Sequence, residues 1–456
     1  MSLVHPLHET SVYQARRERV AQWMLAHGGG IAVVPTGGLR TRNADTTYPF
    51  RFDSHFYYLT GFTEPDAWLA IIAREGQPTQ SWLLCQPKNP ESETWDGKRW
   101  GPDAAKEAFG FDGALSVDDI DTWMAQQLVG HKQVFAPLHR SSVQDLPAYL
   151  QRWINAARTP VRVAKPVPTH WIDLTPTVSH HRLVKDNREL DVMRESARIA
   201  ALGHCAAMRA VAPGMAERGL EAELLGVFLR EGAQAAAYQT IVASGANACI
   251  LHHAAGASQI GENDLVLIDA GCELHGYASD ITRTFPASGR FTPEQAALYD
   301  IVLAAQDAAV ANTAPGLSFN AGHEAAVNVL TQGLIDEGII QASLEEATEK
   351  GLYRPFYMHR TGHWLGLDVH DAGPYRETEE DADEPDWRRL EPGMVLTIEP
   401  GLYITPESGA PEKFWNIGIR IEDDAVVTET GCELITRGVP VARQEIEALV
   451  QSGKLG

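Results

Sequence analysis

Short, nearly continuous apolar runs alternate with helix-spaced ones along the first third of the chain. Ile31–Pro35, Ala67–Ala73, Ser81–Cys85 and Gln133–Leu138 have strand length and are bounded by turn residues, the pattern of buried strands. Gln14–Ala26 and Asp118–Leu128 read as helices between them, so this third is an α/β structure. From Thr159 to Val178 proline and threonine crowd together. Such a composition continues neither a helix nor a central strand, and a linker is expected there. The domains are accordingly expected at residues 1–174 and 175–456.

A helix is predicted from Asp186 to about Val211, with Leu190, Met193, Ala197, Ala200, His204 and Met208 at three–four spacing and acids near its start. It stops at Ala212-Pro213-Gly214, and a second helix covers about Leu220–Arg230. The arrangement returns 102 residues later: a helix Pro293–Asn312, the stop Ala314-Pro315-Gly316, then a helix His323–Ile335. Each pair leads to apolar strands carrying one acid closely followed by glycine, Asp269-Ala270-Gly271 and Glu399-Pro400-Gly401. This is a weak internal duplication, two halves around a shared site.

At 456 residues the chain exceeds the ~250–300 at which single cores stop growing, consistent with two domains. Apolar residues at 44% and charged residues at 21% fit a globular protein and exclude whole-chain disorder. With 38 basic and 60 acidic residues the net charge is −22, which disfavours binding to nucleic acid or to an anionic membrane. No apolar run has the length of a membrane span, and the first residues lack the apolar stretch of a secretory signal, so a cytoplasmic location is expected. The five cysteines are widely spaced without a C-x-x-C pair, as for reduced thiols.

Among so many acids, those inside apolar strands carry information, because a buried unpaired carboxylate is costly. Asp269 ends the run Leu265–Ile268, Glu399 lies within Met394–Ile404, and Glu422 follows Ile417–Ile421, on the same strand face as Arg420. Asp280 lies eleven residues after Asp269, where a hairpin at Gly276 would bring the two together. The segment Met358–Asp371 (MHRTGHWLGLDVHD) holds His359, His363 and His370; His252 and His253 follow another apolar stretch. Four converging carboxylates cannot all stay ionised in a dry pocket, whereas two divalent cations would cancel their charge. One histidine completes a mainly oxygen-donor set, which suits manganese or similar ions and hydrolytic chemistry. Asp269-Ala270-Gly271 and Asp371-Ala372-Gly373 lack the hydroxyl residue of an aspartic-protease pair, His323-Glu324 lacks the second histidine of H-E-x-x-H, and neither G-x-S-x-G nor a P-loop occurs.

The segments IDAGCELHGYASDITRTFP, HRTGHWLGLDVHD, LEPGMVLTIEPGLY and GIRIEDD resemble the pita-bread metallopeptidases, and within them the bacterial Xaa-Pro aminopeptidase (aminopeptidase P) type. Phe50–Trp68 is similar to that family's N-terminal domain. The resemblance implies an α/β N-terminal domain and an α+β pita-bread C-terminal domain with a pseudo-two-fold repeat. It implies two metal ions, manganese being the expected metal: Asp269 on one, Asp280 and Glu422 on both, His363 and Glu399 completing the second. Glu399 would shuttle a proton, His370 would stabilise charge on the scissile carbonyl, and His252 and His359 would contact the peptide near proline. Tyr403 and Arg420 would support the metal ligands, and Trp95 matches a family tryptophan that reaches a neighbouring subunit's site. The partners implied are peptides with proline second and further copies of the chain, as a dimer or tetramer. The acidic stretch Glu377–Asp386 is longer than the family pattern, and His253 has no family role. Prolidases, restricted to Xaa-Pro dipeptides, share much of the pattern and are the alternative. Metal-free binding proteins and creatinase-type hydrolases share the fold but lose ligands, and here all five positions are kept.

Overall fold

The computed structural model describes residues 4–139, 142–143, 145–159, 165–377 and 386–454. The chain divides into two compact units, Met1–Arg182 and Leu183–Gly456.

The first unit is built on a six-stranded mixed sheet in the order Gly113–Ser116, Gln80–Cys85, Trp68–Ala73, Gly30–Pro35, Gln133–Ala136, His170–Asp173. The central strands Gly30–Pro35 and Trp68–Ala73 are antiparallel and buried at every position, which is why their sequences run apolar without alternation. Trp153, Leu150 and Met124 from the flanking helices close one face of the core. The expected linker Thr159–Val178 does not hold as such over its described part. His170–Asp173 pairs in parallel with Gln133–Ala136 as an edge strand, and a helix begins at Thr175. Pro166 and Pro168 precede the strand and Pro176 falls in the first turn of the helix, so the ladder loses no donor.

The second unit carries two helix pairs. Asn187–Ala210 starts with a capping box of Asp186 and Glu189 and is followed by Glu217–Arg230. Pro293–Ala311 starts with a capping box of Thr292 and Gln295 and is followed by Ala321–Asp336. Gly214 and Gly316 lie in the turns that follow the first helix of each pair, at φ of 85° and 80°, a backbone region where a side chain would be strained. The helices cover small antiparallel sheets. In one, Leu265–Asp269 lies between Ile241–Ser244 and Thr282–Pro286; in the other, Asp423–Val427 lies between Val395–Ile398 and Cys432–Leu434. The expected strand Met394–Ile404 is broken at Glu399-Pro400, and Gly401–Ile404 pairs instead with Ile417–Arg420. Proline has no N–H to continue the ladder, and the break turns Glu399 out of the sheet. The acidic stretch Glu377–Asp386 lies, apart from its two ends, outside the described residues.

Among the described residues no helix is long and apolar enough to cross a membrane. All five cysteines are free thiols.

Candidate metal centre

Three strand ends and one loop bring the acids together. The pairing of Leu265–Asp269 with Thr282–Pro286 sets Asp269 opposite Thr282, and the hairpin Cys272–Leu274 to Tyr277–Ala278 returns Asp280 beside it. The Tyr238 hydroxyl lies 2.6 Å from Asp269 Oδ1 and also contacts Asp280 Oδ1. A backbone bridge joins Thr282 to Glu422, and the Thr282 hydroxyl donates to Glu422 Oε2 at 2.6 Å. Asp280, His363 and Glu422 each place a ligand atom within 4.8 Å of the others. His363 Nε2 lies 3.6 Å from Asp280 Oδ2 and 3.8 Å from Glu399 Oε1. Asp269 stands next to this trio, held through Oδ2 by Arg420 at 2.6 Å.

The electrostatics of this group are unbalanced. Burial, reinforced by neighbouring acids, holds Asp280 and Glu422 well above the usual carboxylate range. Burial pushes Glu399 up to about 8 although Arg420 opposes the shift. Arg420 is the cation bonded to the cluster; burial would weaken its charge, but Tyr403, Asp269, Glu422 and Glu399 around it raise its pKa. One guanidinium against four carboxylates leaves a surplus of negative charge that further cations would neutralise.

Two histidines beside the acids are held neutral. Burial pushes His363 down to about 4. Its Nδ1 meets the Trp364 carbonyl at 3.0 Å, so Nδ1 carries the proton and the Nε2 lone pair faces the carboxylates. His359 is likewise pushed down to about 4 by burial and by Arg420. Its Nδ1–H donates to the Arg360 carbonyl, and its Nε2 accepts from the Tyr403 hydroxyl at 2.8 Å. Tyr403 in turn accepts from Arg420 Nη1 at 2.7 Å, which ties both residues to the acids. The donor set of carboxylate oxygens and one imidazole nitrogen fits divalent metal.

These groups form the floor of a cavity of about 1100 Å³. His252, His359 and His370 line it, and the His370 ring centroid is 4.1 Å from that of His363. Trp95 belongs to the first unit, on the helix Pro90–Asp96, and is 85% exposed. His253 has a structural role. Its Nε2 meets the buried Glu217 carboxylate at 2.8 Å, which also accepts from Ser244, Asn247 and Gly256 and so fixes the loop bearing His252.

Three groups at the centre were not read from the sequence. Tyr238 sits in a stretch without periodicity that gave no signal. Asp424, whose Oδ2 accepts the Asp280 amide at 3.0 Å, was visible only as an extra acid after Glu422. Thr282 orders both Glu422 and Arg420 through one hydroxyl.

Comparison with known proteins gives the family. Residues 191–429 match the model of metallopeptidase family M24, and residues 13–135 that of the aminopeptidase P N-terminal domain. The chain is 41% identical to Xaa-Pro aminopeptidase of Escherichia coli over 446 residues, covering 97% of this chain and 98% of that one. The solved structure of Pseudomonas aeruginosa aminopeptidase PepP superposes with a TM-score of 0.93 at 43% identity, covering 98% and 99% of the two chains. Aminopeptidase P from E. coli with the inhibitor Pro-Leu superposes with a TM-score of 0.93 at 39% identity, covering 98% and 100%. Matched in both domains along nearly its whole length, the chain belongs to metallopeptidase family M24, in its aminopeptidase P group, with an aminopeptidase P-type domain ahead of a pita-bread domain.

Proposed function

We propose that the chain is a dinuclear-metal aminopeptidase that hydrolyses the bond between an N-terminal residue and a following proline. The observation that carries this reading is the convergence of Asp269, Asp280, Glu399 and Glu422 with a neutral His363 on one cavity floor, with a single guanidinium to offset them. Asp269, Asp280, His363, Glu399 and Glu422 would hold two ions, of which manganese suits so oxygen-rich a set best. Bound there, such ions supply Lewis acidity toward the carbonyl and lower the pKa of water.

The chain's own residues do the rest. Glu399, as the carboxylate, accepts the proton lost by the attacking water and returns it to the departing proline nitrogen. His370 donates toward the charge that develops on the scissile carbonyl oxygen, and His359 and His252 hold the peptide at its proline. Arg420 and Tyr403 fix Asp269 and His359 through the bonds described above. The acid-rich floor attracts the free amine of the first residue. An imide nitrogen before proline carries no N–H, so a wall without an acceptor there accommodates proline, whereas an alanine peptide would bury an unsatisfied donor at a cost of ~1–3 kcal/mol. The same reading carries a homo-oligomer, dimer or tetramer, in which another copy covers Trp95.

The test is kinetics with manganese on Xaa-Pro-Yaa, Xaa-Ala-Yaa and the N-acetylated proline peptide, with metal content measured in parallel. Selectivity for proline over alanine of at least about tenfold, and loss of turnover on acetylation, are expected. Comparable rates on all three would refute the assignment.

A further inference from the structure

The cavity has a second charged feature, away from the carboxylate floor. Phe319, Tyr375 and Trp387 form one wall; the ring centroids of Phe319 and Tyr375 lie 4.9 Å apart, and Phe319 and Trp387 are stacked at 6.3 Å. The Arg360 guanidinium lies 4.4 Å from the Trp387 ring centroid, and that of Arg376 lies 4.2 Å from the same ring. Both arginines line the cavity.

Arg360 has no carboxylate partner within ion-pair distance among the described residues. Its side chain contacts the Asn320 amide oxygen, and the nearby Glu324 is occupied by Asn320 Nδ2. The acid on this wall, Glu377, is taken up by Arg388 at 3.8 Å and by the Arg389 amide at 3.2 Å. Burial lowers the Arg360 pKa, so a partner that restored its charge balance would be favoured. A guanidinium placed over an indole ring, with one Nη bonded to Asn320, keeps further N–H donors for a carboxylate acceptor. In a chain of net charge −22, a cavity cation without a carboxylate partner among the described residues is a selective feature rather than a general attraction.

We infer that Arg360, stacked on Trp387, is a carboxylate-binding subsite that recognises the anionic end of the peptide whose amine faces the metal centre. This rests on the peptidase reading above and adds to it: the substrates favoured are short peptides whose carboxylate reaches this wall. The carboxylate is either the peptide's own C-terminus or an acidic side chain after proline, and two substrate pairs separate these sources. One pair is Xaa-Pro-Ala as free acid and as C-terminal amide. The other is Xaa-Pro-Glu-NH2 against Xaa-Pro-Gln-NH2.

In the manganese-loaded protein the carboxylate member of at least one pair should have the higher kcat/KM, by about tenfold, the difference lying in KM. In Arg360→Gln that ratio should fall to within about twofold of one, with the proline-over-alanine ratio retained. Calorimetric binding of Pro-Leu and Pro-Leu-amide to both proteins reads the same contrast without turnover. A ratio that Arg360→Gln leaves untouched, or no preference in either pair or in the calorimetry, would overturn the subsite. Failure of the peptidase reading is distinguishable, because it would abolish turnover of every proline peptide while leaving the calorimetric contrast measurable.

Discussion

Lys185 and Asp371 form an ion pair in the second unit with both side chains 1% exposed and Nζ 3.0 Å from Oδ2. Lys185 Nζ also donates to the Leu183 carbonyl, and Asp371 Oδ1 accepts the Asp368 amide, so the pair fastens the turn that carries His370. At 3.0 Å the attraction is about 5.5 kcal/mol for an effective dielectric constant of about 20, partly cancelled by the cost of taking both ions out of water. Lys185→Met removes the cation and strands a buried carboxylate, a change that costs about 3–5 kcal/mol. For a unit of this size that is a fall in Tm of roughly 10 °C. Adding Asp371→Asn removes the stranded charge while leaving an oxygen for the Asp368 amide, so the double variant should recover at least about 2 kcal/mol of the loss. Urea denaturation and thermal melts of the four proteins of this cycle, all metal-loaded, give the coupling directly. A loss below about 1 kcal/mol in the single variant, or a double variant no more stable than Lys185→Met, would refute the claim that charge pairing holds this turn.

Asp280→Ala should lose most bound metal and with it hydrolysis, because Asp280 lies at the centre of the ligand trio; plasma emission spectrometry showing wild-type metal content would contradict this. His370→Ala should keep its metal but lose turnover by about 100-fold or more, the worth of one donor to developing charge, and a loss under tenfold would remove His370 from that role. The metal-free protein should lose stability as pH rises. The folded carboxyls of Asp280, Glu422 and Glu399 have pKa values above their unfolded ones, so their contribution is complete below about pH 4 and is lost up to about 8 for Glu399. Melts of chelator-treated protein at pH 5 and 8, with and without manganese, should therefore show stabilisation by metal that is larger at the higher pH; equal stabilisation at both would argue against the raised values.

The parts legible in the sequence were those set by local pattern. The strands Gly30–Pro35 and Trp68–Ala73 announce themselves because both faces are buried, and the helix Asn187–Ala210 because its apolar stripe has a helical period and a capping acid. His170–Asp173 was not legible, because an edge strand of four residues after a proline-rich stretch has too little apolar pattern to stand out. Tyr238 meets Asp269 and Asp280 only through the return of chain from 31 and 42 residues away, and no spacing rule encodes that. His253, which the sequence left without a role, likewise has it from Glu217, 36 residues upstream. The break at Pro400 was readable in principle, since proline cannot continue a ladder, and it is what frees Glu399 to reach His363.

The internal duplication explains why four carboxylates meet. In each half the glycine in the turn after the first helix donates its amide to a carbonyl ahead of the apolar strand, Gly214 to Ile260 and Gly316 to Leu390, both at 2.8 Å. Nine residues after those carbonyls come Asp269 and Glu399, each at the end of its strand. Each strand pairs antiparallel with a second one, and an acid stands just before that partner: Asp280 before Thr282–Pro286 and Glu422 before Asp423–Val427. The bridge between Thr282 and Glu422 then joins the halves where their acids face each other. One strand pair repeated thus supplies two carboxylates twice, which is the economical way to line a pocket symmetrically with oxygen. His359, Arg360, His363, His370 and Tyr375 all come from the stretch between the second helix pair and its strand, where the second half is longer than the first. The repeated part therefore provides the charge suited to metal, and the longer stretch of the second half provides His359, His363, His370 and the cationic wall. Asymmetry of that kind is what a site needs if it is to tell the amine end of a peptide from its carboxylate end.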